Sequence, residues 1–478
     1  MKNYEQFLID GQWVAPLNGG RRFGIVNPAT GSEIGSILLG DGDDVARAIG
    51  AARRAFSGWS TTTLAARVAL VEVIIAAYEK RLPEIADAIC EEMGAPHQQL
   101  ALPIQAPIGL WHLRTALAAA HEYQFEYQRG TTQVLKEPVG VCALITPWNW
   151  PMSQAMCKIA PALLAGCTVV FKPSEYAALS AQILAEIMHA AGLPSGVFNM
   201  FHGDGALVGP LLSEDPQVDM VSLTGSTQAG ASVMRHAAAT IKTVSLELGG
   251  KSANIILDNA PFAQAVAHGV ISMMNNSGQT CNSPARLLVP LARLAEAERI
   301  AVEALSTQVV GDPHDPATTI GPLANERQYE RVQSYIAQGV EEGARLIAGG
   351  LGRPAGFNCG SFARPSIFSN VDNSMAIAQE EIFGPVLVII PYADEDHAVA
   401  IANDSVFGLS GFVWGATQND ALRVARRMRT GMVHLNGAIV DLQAPFGGYK
   451  QSGIGREWGA AGIDEFVEVK AVMGCPGE

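Results

Sequence analysis

The sequence predicts an α/β fold: two doubly wound α/β lobes facing each other across a cleft, with a small β arm outside both. Three observations carry this reading. At 478 residues the chain exceeds what one hydrophobic core usually supports, so two or more lobes are expected. Between Val141 and Glu247 short β-rich runs alternate with helix-like segments, the pattern of a parallel sheet covered on both faces. After Gly249 the same alternation begins again.

Taken in order, apolar residues recur at helical spacing from Val68 to Met93, with Pro83 opening a second helix and Gly94 ending it. The first sheet is expected to use Val141 to Ile145, Thr168 to Lys172, Val197 to Phe201, Met220 to Thr224 and Thr243 to Glu247. An Ala-rich helix spans Ala177 to Ala191, stopped by Gly192 and Pro194. The second sheet is expected to use Asn254 to Leu257, Arg286 to Val289, Val386 to Ile390, Gly411 to Trp414 and Met432 to Leu435. Two β-like pieces, Tyr123 to Val134 and Phe466 to Met473, fall outside these runs. They can pair as an arm or an edge for subunit contact, since association removes the liability of an unpaired strand.

Composition narrows the function. Apolar residues make up 48% and charged ones 16%, which fits a large globular enzyme and argues against disorder. A net charge of −14 repels phosphate backbones and anionic lipid, so neither nucleic acid nor a membrane surface is an expected partner. Seven cysteines lie scattered without C-x-x-C pairs or metal-type spacing, which predicts a reducing compartment and no metal site. The first residues show no basic region followed by an apolar run, and no stretch reaches the ~18 apolar residues of a membrane span. A cytoplasmic protein is expected.

Four motifs carry chemistry. Cys281 lies in Asn276-Ser277-Gly278-Gln279-Thr280-Cys281-Asn282, a small polar loop between a helix and a strand that can expose a nucleophilic thiol. Glu247 ends a strand before Leu248-Gly249-Gly250-Lys251, at the strand end where parallel sheets place ligands, and is a general-base candidate. Asn149, in Pro147-Trp148-Asn149-Trp150-Pro151, follows the sheet's first strand. Its rigidly held amide can donate to an oxyanion, although Asn in a loop more often caps a helix or forms a turn. Glu175, in Lys172-Pro173-Ser174-Glu175, stands where nucleotide-binding sheets recognise a ribose. A carboxylate there accepts both ribose hydroxyls and repels the extra phosphate of NADP, so it favours NAD, unless it only serves as an acid at a helix N-terminus. The G-x-G-x-x-G fingerprint is absent, and Gly225-Ser226 after the fourth strand offers a helix N-terminus to a pyrophosphate instead.

In this order, and with Glu380 to Pro385 and Pro445 to Glu457, these segments resemble the aldehyde dehydrogenase superfamily essentially end to end, in its hydrolytic, broad-specificity branch. The resemblance implies NAD-dependent oxidation of a small-molecule aldehyde to the acid through a thioester, by a homodimer or homotetramer without a metal. Cys281 would be the nucleophile, Glu247 the base and Asn149 the oxyanion donor. Lys172 and Glu175 would hold the adenosine ribose, Ser226 the pyrophosphate, and Glu381 with Phe383 the nicotinamide-ribose end. Ile145, Thr146, Trp148, Ser174, Gly225, Leu248 and Gly249 complete the cofactor-facing set. It further implies a cofactor-binding domain of 1–117 and 138–248, a catalytic domain of 249–449, and an arm and C-terminal segment of 118–137 and 450–478. An acylating relative passing the thioester to coenzyme A, or a silent protein on the same fold, is disfavoured because Cys281, Glu247 and Asn149 are all present.

Trp150, Gln154 and Cys157 recur at helical spacing, on the face that in the family lines the aldehyde tunnel, together with Thr280, Asn282, Val440 and Phe446. A thiol at 157, where the family often has a bulky aromatic, would widen the tunnel for aromatic or branched aldehydes. Alternatively, Cys157 packs in the core and its neighbours refill the space.

Overall fold

The β-rich runs of the first half form one mixed eight-stranded sheet. Across it lie Gly453–Ile454, Thr243–Glu247, Met220–Thr224, Val141–Ile145, Thr168–Lys172, Phe198–Met200, Phe7–Ile9 and Gln12–Val14. Strands from Thr243–Glu247 through Phe198–Met200 run parallel. Gly453–Ile454 and Phe7–Ile9, which flank them, run antiparallel to the block, and Gln12–Val14 pairs antiparallel to Phe7–Ile9. The strands at 141–145, 168–172 and 220–224 are buried at every residue, which is why they carry no polar alternation. The computed structural model describes residues 2–475; residues 1 and 476–478, at the ends of the expected cofactor-binding domain and C-terminal segment, lie outside the described residues.

A second, seven-stranded sheet is ordered Arg345–Ala348, Ser366–Ser369, Val386–Tyr392, Arg286–Pro290, Ala253–Ile256, Ser410–Trp414 and Met432–Leu435. All of its neighbours pair in parallel except the first two. Glu126–Arg129, Thr132–Pro138 and Val467–Met473 pair separately as a three-stranded antiparallel sheet. Among the described residues no helix is long and apolar enough to cross a membrane.

The helical periodicity after Val68 becomes two helices, Leu64–Glu79 and Leu82–Met93, and Gly94 closes the second in the left-handed region at φ 78°. A nine-residue π-helix follows, His97–Gln105, running directly into the helix Ala106–Glu122. Nothing in the periodicity anticipates it. Residues 453–454, expected in the segment outside the lobes, extend the first sheet by pairing Leu246 with Ile454 and Glu247 with Gly453.

Chain direction sets the cleft. First-sheet strands deliver Ile145, Lys172, Thr224 and Glu247 at their carboxyl ends. Second-sheet strands begin at Ala253, Arg286 and Val386, just after the segments carrying Lys251, Cys281 and Glu381.

Arg286, 2% exposed, ties the second sheet together at that end. It donates through Nε to Lys251 O at 3.0 Å, and through its terminal nitrogens to Asn373 Oδ1 and Ile401 O at 2.9 Å and Ala402 O at 3.0 Å. An apolar side chain of similar length would leave the buried carbonyls of Lys251, Ile401 and Ala402 unpaired, at about 1–3 kcal/mol each. Arg286→Met is therefore expected to lower the urea midpoint by the equivalent of at least ~2 kcal/mol. An unchanged midpoint would show that these carbonyls find other partners.

Candidate active site

The Cys281 loop is built against backbone preference. After the helix Phe262–Met274 the chain turns through Asn276 at φ 53°, Ser277 at φ 55° and Gly278 at φ 72°, all left-handed. Such residues persist only where the surroundings over-determine them. Here Asn276 Nδ2 donates to Asn149 O at 3.0 Å and to Gln279 O at 3.2 Å, and Ser277 Oγ donates to Gly321 O at 2.9 Å. Gln279 Oε1 accepts from Ala324 N at 2.9 Å. A Cβ on Gly278 would lie 2.2 Å from Gly384 O, so only glycine fits. The result is a partly exposed Cys281 held on a fixed loop.

Burial pushes the Cys281 thiol well above its usual range, and the Glu381 and Glu247 carboxylates push the same way. Its resting form is therefore the neutral thiol, and a nearby base must take its proton.

Asn149 is 3% exposed. Its Nδ2 donates to Gln279 O at 3.0 Å, leaving the second N–H of the amide free. Trp150 Nε1 donates to Thr280 Oγ1 at 2.9 Å, a second tie between the turn after the first sheet's strand and the thiol loop.

Glu247 is 2% exposed, and neither carboxylate oxygen has a hydrogen-bond partner among the described residues. Burial and the neighbouring Glu457 carboxylate raise its pKa well above the ordinary range, against the pull of Lys158 and Arg456. Glu457 is itself paired with buried Lys158, which donates to Ser222 Oγ at 2.9 Å.

Cys281, Glu247 and Asn149 line one cavity of about 440 Å³. Of the expected cofactor-facing residues, Trp148, Gly225, Ser226, Leu248, Gly249, Glu381 and Phe383 line it too. Ser226 caps the helix Thr227–Ala237, so unpaired backbone N–H groups face this space. Gly249 allows the close approach of Glu381, whose Oε2 would lie 2.4 Å from a Cβ there, while Gly250 N donates to Glu381 Oε1 at 3.0 Å. Burial lifts the Glu381 carboxyl to about 7. Phe383, itself left-handed at φ 63°, meets Trp148 edge-on at 5.6 Å. Lys172 is buried with its ammonium 3.4 Å from Glu175 Oε2, and the adjacent Tyr176 reaches the cavity. Ser174 Oγ is used locally, accepting from Tyr176 N at 3.3 Å, and Ile145 and Thr146 lie buried at the strand end behind this wall. Lys172 and Glu175 do not border the cavity themselves, but a helix N-terminus, a carboxylate beside a lysine next to Tyr176, and a glycine-cleared approach to a second carboxylate fit a dinucleotide.

Of the expected substrate-facing residues, Gln154 borders the cavity. Thr280 and Asn282 flank Cys281, Val440 is 36% exposed, and Phe446 stacks on Trp458 at 4.2 Å. Cys157 is 4% exposed, with its thiol donating to Gln154 O at 3.5 Å and Glu457 Oε2 at 3.3 Å, and it does not border the cavity. Sequence reasoning missed Tyr176, Arg327, Gln328 and Arg331, which line the cavity, and Gln105 behind Asn149. Arg331 and Gln328 hold the 381–383 segment, Arg331 Nε donating to Ile382 O at 3.3 Å and Gln328 Nε2 to Phe383 O at 2.7 Å. Asn325, the N-cap of that helix, is the one sequence signal that could have marked its start.

Residues 13–472 match the profile of the Aldehyde dehydrogenase family. The chain is 57% identical, over 100% of both chains, to a 3-succinoylsemialdehyde-pyridine dehydrogenase of a Pseudomonas species. It superposes with a TM-score of 0.97 on a mutant aldehyde dehydrogenase C of Pseudomonas syringae in complex with NAD+ and octanal, at 48% identity, covering 99% of this chain and 98% of the other. An NAD+-bound aldehyde dehydrogenase of Mycobacterium tuberculosis superposes at 0.96 and 40% identity, with 99% and 98% covered.

The strained loop yields a direct test. Gly278→Ala must push against Gly384 O and move the loop, and a displacement near ~1 Å carries about a 100-fold loss of rate. Turnover is expected to fall by that order and iodoacetamide labelling of Cys281 to change, with the circular dichroism spectrum unaltered. Turnover close to that of the unsubstituted protein would mean the loop position is not fixed by this contact.

Proposed function

The chain belongs to the aldehyde dehydrogenase family and is an NAD-dependent aldehyde dehydrogenase; on that premise we propose that Cys281 carries the acyl group, Glu247 moves the protons and Asn149 holds the oxyanion. The supporting observation is the Glu247 carboxylate, buried without any hydrogen-bond partner on the wall of the cavity that Cys281 and Asn149 also line. A buried, unpaired carboxylate is costly to keep and is a mark of function rather than of folding.

NAD, when bound, supplies the hydride acceptor. Ser226 with Gly225 would hold its pyrophosphate, Lys172 with Glu175 the adenosine ribose, and Glu381, Phe383 and Trp148 its nicotinamide end. Glu247, directly or through a water, takes the Cys281 proton, and the thiolate adds to the aldehyde carbon. The free N–H of Asn149 and the Cys281 backbone N–H stabilise the resulting oxyanion, a contribution of about 10²–10³ in rate per donor. Oxidation of that carbon leaves a thioester on Sγ. Glu247 then activates a water to release the acid, which favours hydrolysis over transfer to coenzyme A.

For substrate, we place an aromatic or bulky group at the far end of the aldehyde, against Trp150, whose indole is tied to Thr280 beside Cys281. The pyridine named in the Pseudomonas relative supports this reading. The indole of Trp150, not a gap at Cys157, is its basis. The three-stranded arm, whose outer strand leaves Val469 and Met473 exposed, is the proposed contact of a homodimer or homotetramer, with the cofactor-binding and catalytic domains divided near residue 248. The free cysteines fit a reducing cytoplasm.

Two substitutions separate the half-reactions. Cys281→Ala is expected to abolish oxidation while retaining NAD binding. Glu247→Gln is expected to accumulate acyl-enzyme, seen as added substrate mass on the intact protein. Because Glu247 acts only when ionised and burial raises its pKa, the unsubstituted enzyme should gain rate as pH rises, and Glu247→Gln should lose that limb. Turnover by folded Cys281→Ala would refute the thioester.

Cofactor choice gives a further test. Glu175 should make kcat/KM higher with NAD than with NADP, and Glu175→Ser should narrow the gap. Equal use of both cofactors by the unsubstituted enzyme would overturn the assignment of Glu175.

A further inference from the structure

The π-helix His97–Gln105 ends where the Asn149 turn and the Cys281 loop meet. Its wide turn is marked by backbone bonds spanning five residues, Ala101 N to Pro96 O at 2.9 Å and Ala106 N to Ala101 O. One residue gained relative to an α-helix rotates the following side chains by about 100°. Such turns are rare and often lie at functional sites. The residue presented at its end, Gln105, is 1% exposed.

Gln105 Nε2 donates to Asn149 O at 3.4 Å and to Asn276 Oδ1 at 3.1 Å, so one amide touches both loops. The Asn149 carbonyl receives a second donor, Asn276 Nδ2, at 3.0 Å. Holding that carbonyl fixes the peptide plane between Asn149 and Trp150, and with it the direction in which the Asn149 side chain leaves the backbone. Asn276, steadied by the same Gln105 amide, donates to Gln279 O, the atom that also accepts from Asn149 Nδ2. Gln105 therefore acts on both ends of the Asn149 side chain.

The other half of the amide is unsatisfied. Among the described residues Gln105 Oε1 is buried without a partner, and an unpaired buried carbonyl is costly to keep. A side chain selected only for packing would be apolar at this position. Retaining a polar group at a stability cost is the pattern expected beside a site of chemistry.

We propose that Gln105 is a positioning residue for the oxyanion step: its Nε2 donor locks the Asn149 turn to the Cys281 loop, so that the free Asn149 N–H and the thiol keep their relative placement. This inference rests on the reading of Asn149 as the oxyanion donor.

The test is a double-mutant cycle with Gln105→Met, Asn149→Ala and the pair, scored by kcat, by KM for aldehyde and NAD, and by thermal midpoint. Gln105→Met keeps the length and removes both polar groups. The expected result is a kcat lower by about ten-fold or more, as a sub-ångström displacement of reacting groups produces, with both KM values and the midpoint held or the midpoint raised. In the Asn149→Ala background the same substitution should have no further effect on kcat. Should Gln105→Met fail to fold, Gln105→Leu, which also removes the donor, replaces it in the cycle. Unchanged kcat in Gln105→Met, a loss that is additive with Asn149→Ala, or a kcat that falls only in step with the midpoint overturns the inference alone. If Asn149→Ala itself leaves kcat intact, the oxyanion assignment fails and the inference falls with it.

Discussion

Two hydrogen bonds running in opposite directions join the turn after the strand Val141–Ile145 to the loop before the strand Arg286–Pro290: Asn149 Nδ2 to Gln279 O, and Asn276 Nδ2 to Asn149 O. Each loop supplies the partner that the other's backbone needs in a buried region. The left-handed residues at 276–278 are tolerable only because this lock, with Ser277 Oγ on Gly321 O, consumes the polar groups they expose. The thiol and the amide that would act on one carbonyl carbon are therefore placed by the same set of bonds. A drift of either loop alone would break contacts of both.

The same cleft gathers acidic groups that water would normally solvate. Glu247 and Glu457 are 2% and 4% exposed, and Glu465 accepts from Arg456 N at 2.7 Å nearby. Lys158 balances Glu457, and among the described residues no cation is paired with Glu247. Removing such a charge from water without compensation costs several kcal/mol, so the side chain favours its neutral form until something accepts the proton or water enters. This environment makes Glu247 a stronger base once ionised than a carboxylate at the surface. It also raises the thiol it must deprotonate, because Glu247 repels a thiolate at Cys281. Transfer of one proton between them changes the charge distribution of the pair without adding net charge to the cleft.

Much of this was legible in sequence, and the reason is burial. Strands at 141–145, 168–172, 220–224 and 243–247 coincide with the expected runs because sheets covered on both faces require continuous β-formers ended by Gly, Pro or polar turns. The short antiparallel strands Phe7–Ile9 and Gln12–Val14 carry too few residues for any periodicity to register. Cys157 illustrates a different limit. Helical spacing places it near Gln154, but the direction of its thiol is decided by Glu457, a residue 300 positions away. Gln105 was invisible for a related reason: the π-turn shifts the helical phase, and period-3.6 reasoning cannot see a phase shift.

The two lobes use opposite strand ends, and this explains where the motifs fall. In the first sheet the functional segments follow their strands, as in other open parallel sheets. In the second they precede them: Gly249 to Lys251 before Ala253, Cys281 before Arg286, and Glu381 with Phe383 before Val386. The connection from Glu247 to Ala253 fixes this arrangement, since it is too short to return the chain to the far end of either sheet. A strand leaving the first sheet at its carboxyl end must enter the second at its amino end. The parallel neighbours of that entering strand then begin on the same side, and the loops carrying Cys281 and Glu381 are brought to the cleft. The motifs therefore lie far apart in sequence and together in space because one short link sets the direction of both sheets.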